Sequence, residues 1–112
     1  MGNYNIDVTT NDKSLKIKLE GNFTETDAIN FIRDFDGEAK KIQTKEYNLS
    51  FDASSLKVSP QQMLPVLKGC FETYKRLGFK KVHINIGSSA VLKMQVNRVI
   101  KEVGLTNCEL AN

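Results

Sequence analysis

The chain reads as an α/β domain built on a single mixed β-sheet, in the order ββαβαβα with a possible short last strand, its helices packed on the sheet. Three observations predict this class. Runs with an apolar period of two alternate with stretches whose apolar residues recur at helical spacing. Two alternating runs open the chain with only a turn between them, so the first strand pair is antiparallel. Every later strand is separated from the one before by a helix, which calls for right-handed crossovers and parallel neighbours. A length of 112 residues fits one domain, 1–112, and no linker, repeat or low-complexity tract divides it.

The elements follow in order. Tyr4-Asn5-Ile6-Asp7-Val8 and Leu15-Lys16-Ile17-Lys18-Leu19 flank the turn Thr10-Asn11-Asp12-Lys13 and predict a hairpin with one buried side. Gly21 ends the second strand. Thr24 or Thr26 caps a helix whose Ala28, Phe31, Ile32 and Phe35 form an inward stripe. Asp36-Gly37 is expected to fray or break that helix, with Lys40-Lys41-Ile42 adding a last turn. Tyr47 to Phe51 is the third strand, with Tyr47, Leu49 and Phe51 to one side.

Ser59 then suits an N-cap, Pro60 the first helical position, and Gln62 completes a capping box. Met63, Leu67, Phe71 and Tyr74 carry that helix's stripe, flanked by Leu64 and Cys70. Gly78 follows the basic last turn Lys75-Arg76-Leu77. Lys81 to Ile86 is a fourth strand ended by Gly87. Ser88 or Ser89 caps a third helix, with Leu92, Val96, Val99, Ile100 and Val103 on one face and Gly104 closing it, and Asn107 to Leu110 predicts a short final strand.

Composition narrows the function classes. Hydrophobic residues make up 40% and charged residues 26%, the balance of an ordinary globular protein, and no apolar run approaches the roughly 20 residues that span a bilayer. The first residues show neither a secretory signal nor a myristoylation pattern. Cys70 and Cys108 match no zinc spacing and no disulfide framework, so a reducing, cytoplasmic setting is expected, with no metal and no cofactor. Residues 1–56 carry 7 Lys/Arg against 10 Asp/Glu, whereas residues 57–112 carry 9 against 3. The basic half suits acidic partners, but clustering of that size is common on solvated helix faces, the reading preferred here, and it lacks the aromatic interleaving of a nucleic-acid binder.

The stretch Ser54-Ser55-Leu56-Lys57-Val58-Ser59-Pro60-Gln61-Gln62 is where function is expected. It joins the carboxyl end of a strand to a helix N-terminus, where free N–H groups and the helix dipole favour ligands and anions. Gly87 and Ser88 form the neighbouring junction, and Asp52 is the acid placed near this cleft, for a ligand or for tying down the turn. His83 has no second ligand or base in sight, Cys70 behaves as a buried hydrophobe and Cys108 as a tail residue, and Asp34 and Asp36 fall on different helix faces. No catalytic set is assembled, so no enzyme is expected.

Three segments carry a family resemblance. Leu19-Glu20-Gly21-Asn22-Phe23, Leu49-Ser50-Phe51-Asp52-Ala53-Ser54-Ser55-Leu56 and Val96-Asn97-Arg98-Val99-Ile100-Lys101-Glu102-Val103-Gly104-Leu105 resemble, in order and spacing, the STAS domains of sulphate transporters and anti-sigma-factor antagonists. The resemblance runs over about residues 4–110. It implies a small α/β module that docks other proteins, an anti-sigma-factor or kinase-like protein or a transporter component; a monomer or weak homodimer without membrane insertion is expected. It also implies a switch serine in an Asp-Ser-Ser-Gly or Asp-Ser-Thr-Gly motif, but the matching positions here are Gln61 and Gln62. Ser59 is the one hydroxyl left at that helix start and the candidate phosphosite, although capping alone accounts for it. A domain that binds a small ligand or anion at Ser59 to Gln62 and at Gly87 to Ser89 is the alternative.

Overall fold

The computed structural model describes residues 2–57 and 59–111, so Val58 of the junction lies outside the described residues, as does the Pro60 side chain. Five strands, β1 (Asn3–Thr9), β2 (Ser14–Gly21), β3 (Asn48–Leu56), β4 (Lys81–Asn85) and β5 (Cys108–Leu110), stand in the sheet in chain order. β1 pairs antiparallel with β2, and the other neighbours are parallel. The helices α1 (Glu25–Ala39), α2 (Pro60–Leu77) and α3 (Ala90–Val103) are the crossovers between β2 and β3, β3 and β4, and β4 and β5.

Each crossover steps the same way across the sheet, and right-handed steps in one direction put every helix on the same face. Burial agrees with this. Leu15, Ile17 and Leu19, Leu49, Phe51 and Ala53, and Val82, Ile84 and Ile86 are buried, while the residues between them along each strand face away from the helices. Beneath the helices lies a core rich in aromatic rings, with Tyr74 centred 5.2 Å from Phe35 and 5.5 Å from Phe51. Such pairs add packing energy beyond the area they bury.

Several boundaries depart from the sequence reading. α1 runs through Gly37 to Ala39, because Phe35 and Ala39 on either side are buried and Asp36 is held by Arg76 at 3.0 Å and Lys40 at 3.5 Å. Lys40 is its C-cap, and Lys41 and Ile42 follow as a tighter turn outside the α-helix, their N–H groups donating to Glu38 O at 3.1 Å and Ala39 O at 3.3 Å. Tyr47 is buried but lies before β3, and Ile86 lies after β4. β3 extends to Leu56, past the expected end at Phe51. The register explains why: Lys18 pairs with Asp52 but Glu20 pairs with Ser55, so β3 has one extra residue at a bulge. That bulge breaks the period of two and turns Leu56 back toward the core. The expected short final strand is present as Cys108–Leu110, with Cys108 opposite Val82.

Candidate functional site

The carboxyl ends of β3 and β4 meet the starts of α2 and α3. At α2, the Ser59 hydroxyl accepts the backbone N–H of Gln62 at 3.3 Å, and Pro60 occupies the first helical position. The reciprocal half of the expected capping box is not formed. A full box stands instead at α1, where Thr24 Oγ1 accepts the N–H of Asp27 at 3.1 Å and Asp27 Oδ2 accepts that of Thr24 at 2.9 Å. At α3 the cap is Ser89, which accepts the N–H of Leu92 at 3.2 Å, and Ser88 is exposed beside it. Neither α2 nor α3 has an acidic residue in its first turn, so both positive dipole ends are uncompensated from within.

Gly87 fits this corner for a conformational reason. Its φ is +92°, its N–H is bound by Asn85 Oδ1 at 3.0 Å, and a Cβ there would stand 3.9 Å from Ser54. The space is open, but the backbone strains any residue with a side chain. Asp52 is placed apart from the helix starts. It projects from the helix-free side of the sheet, where its Oδ1 accepts the Ser54 N–H at 2.9 Å and the Ser54 hydroxyl, tying down the bulge. Of the residues expected to make the site, the structure therefore gathers Ser59, Pro60, Gln61, Gln62, Gly87 and Ser88 at one end of the sheet and assigns Asp52 to the opposite face.

Three features were missed in the sequence. Val91 and Met94 stand 66% and 70% exposed on the first turns of α3, three apart and so on one side of the helix. A groove of about 700 Å³ opens between α1 and α2, with Phe23, Ala28, Ile29, Ile32, Val66 and Gly69 as apolar walls and Thr24, Lys57 and Gln62 among the polar groups at its mouth. The third is a polar row across the helix-free face: Asp7, Lys16, Ser50, His83 and Glu109, one residue from each strand in mutual register. His83 Nδ1 lies 3.8 Å from Glu109, with nearly half of its side chain exposed. Ile29 and Gly69 were the available signals for the groove, an isoleucine beside the inward stripe and a glycine inside a helix.

The basic half of the chain is partly neutralised. Arg76 binds Asp36 at 3.0 Å, Lys81 binds Glu109 at 3.3 Å, and Lys75 caps α3 by donating to the Val103 carbonyl at 3.0 Å. Both cysteines are held as thiols, Cys70 pushed up to about 12 by full burial and Cys108 to about 11 by partial burial. Among the described residues, no helix is long and apolar enough to cross a membrane. No family model matches the chain, and no curated protein matches it.

Proposed function

We propose that the chain is a non-enzymatic, STAS-like protein-interaction module that docks its partner where α2 and α3 begin, without phosphoserine control. The observation that carries this reading is the exposed pair Val91 and Met94 at the same end of the sheet as Ser59 to Gln62. Large apolar side chains left in water beside polar groups are what a partner covers. The uncompensated helix starts favour an acidic surface on that partner, an anti-sigma-factor or kinase-like protein or a transporter component in the cytoplasm. The ββαβαβαβ order and the three family-like segments support the STAS assignment.

Absence of the switch follows from Gln61 and Gln62 at the switch positions, with the Ser59 hydroxyl engaged as a cap. Co-purification from the native host with tagged wild type, Met94→Asp, Gln61→Glu and Ser59→Asp tests the reading. Wild type should recover one specific protein, Met94→Asp should lose it, Gln61→Glu should weaken it, and Ser59→Asp should weaken it no more than Gln61→Glu does. Recovery of the same proteins by wild type and Met94→Asp would overturn the docking surface.

A further inference from the structure

We infer that the groove between α1 and α2 binds a single-chain amphiphile with an anionic head, of the class of medium-chain alkyl carboxylates. α2 packs closely against α3 and only sparsely against α1, and the gap left on the α1 side has a volume of about 700 Å³. Small-molecule sites span roughly 300–1,000 Å³ and combine apolar walls with a few polar groups at one end. This gap is built that way. Ile29 is 63% exposed and Ala28, Ile32 and Val66 continue its surface, while Lys57, Thr24 and Gln62 stand at the strand-end mouth.

Gly69 is the second observation. Glycine inside a helix weakens it, and nothing local requires one here: α2 is helical at this position, and the nearest atom to a Cβ would be Ile32 Cδ1 at 3.8 Å, an ordinary contact. What glycine does at this point is leave the floor of the groove open between Ile32 and α2. A larger side chain would fill it.

The head is assigned by charge. Lys57 is the one basic side chain among the residues that line the groove, and it forms no ion pair among the described residues. It stands in the mouth near the positive end of the α2 dipole, and the acid that shares the rim, Glu25, belongs to the first turn of α1. A carboxylate head at Lys57 leaves the tail to run over Ile29, Ile32 and Val66, along the Glu25 to Ile32 stretch of α1, about 10 Å at 1.5 Å per residue.

Isothermal calorimetry on the full chain with octanoate, decanoate and dodecanoate, each below its micelle concentration, tests the site. Affinity should rise about fourfold per added methylene from octanoate to decanoate, whose tail matches the stretch of about 10 Å, and level off toward dodecanoate. Gly69→Leu, which favours the helix but fills the floor, should abolish binding. Ile29→Asp, at an exposed position, should weaken dodecanoate tenfold or more. Lys57→Glu should weaken dodecanoate tenfold but leave dodecyltrimethylammonium unweakened. Met94→Asp should change nothing, since the groove does not depend on the docking surface.

Dodecanoate binding that is absent in wild type, or equal in wild type, Gly69→Leu and Ile29→Asp, would overturn the inference. Equal binding of dodecanoate and dodecyltrimethylammonium by wild type would overturn the head assignment. Binding to phosphatidylglycerol vesicles without binding of free dodecanoate would make the occupant a membrane. A dimer broken by Gly69→Leu, with no dodecanoate bound, would make it a second copy. Either result overturns the free amphiphile.

Discussion

Tyr74 is 1% exposed, and its hydroxyl is buried with no hydrogen-bond partner. Its ring packs against Phe35, Phe51, Phe71 and Phe79, and the polar group that acts on it is the Cys70 thiol, which is too weak an acceptor to offset desolvation. The ring therefore stabilises the core while its oxygen opposes it. Tyr74→Phe keeps the ring and removes the oxygen, so it should stabilise the protein by about 1–2 kcal/mol, read as a shifted urea midpoint. Burial also raises the Tyr74 hydroxyl well above 10.0 and takes the Cys70 thiol from 9.0 to about 12. Both groups lose protons more readily when unfolded. Their contribution is thus complete below about pH 9 and is lost as pH rises toward 12. Urea midpoints between pH 8 and pH 11 should fall in wild type and fall less steeply in the doubly substituted Tyr74→Phe, Cys70→Ala chain. Parallel curves would show that lysines govern the alkaline limb instead.

At the scale of the element, the two helix starts divide the work differently. Thr24 and Asp27 satisfy two orphan N–H groups reciprocally, whereas Ser59 satisfies one. Thr24→Ala should accordingly cost about 1–2 kcal/mol and Ser59→Ala about 0.5–1 kcal/mol by urea denaturation, both within the range for lost caps. The Thr24 backbone N–H bound to Asp27, and the Arg76 guanidinium bound to Asp36, hold these carboxyls below the ordinary 3.8. A depressed carboxylate contributes above its unfolded value, so this support is lost as pH falls below about 3.8. What the sequence could and could not convey follows from such pairs. Ser59 and Gln62 carry the residue types of a capping box, but Gln62 lines the groove and does not turn back to Ser59. The end of β3 was hidden because the bulge at Ala53-Ser54 interrupts the alternation that identifies a strand. The stripes of α1, α2 and α3 were legible because their buried residues keep helical spacing without interruption.

For the whole molecule, the governing fact is that four parallel strands advance across the sheet in one direction, so a single helical layer covers a single face. Parallel sheets are usually covered on both faces, and the uncovered one here meets water with Lys16, Lys18, Ser50, Asp52, His83, Asn85 and Glu109. The outward half of each alternation was readable strand by strand, but not the register that lines these residues up across the sheet. The groove was not legible either, because it arises from the spacing of two helices, which Ile29 and Gly69 signal only once that spacing is known. The one-sided architecture makes a sharp prediction along β3, where neighbouring residues point into different solvents. Ser50 is exposed on the open face, in register with Lys16 and His83, so Ser50→Ala should change stability by no more than about 0.5 kcal/mol. Phe51, 1% exposed and packed on Phe71 and Tyr74, faces the helices, so Phe51→Ala should cost about 3–5 kcal/mol. Urea denaturation of the two variants measures the contrast directly. A loss above 2 kcal/mol for Ser50→Ala would mean that the open face is covered in solution, by a partner or by another copy, and that the sheet has a second layer after all.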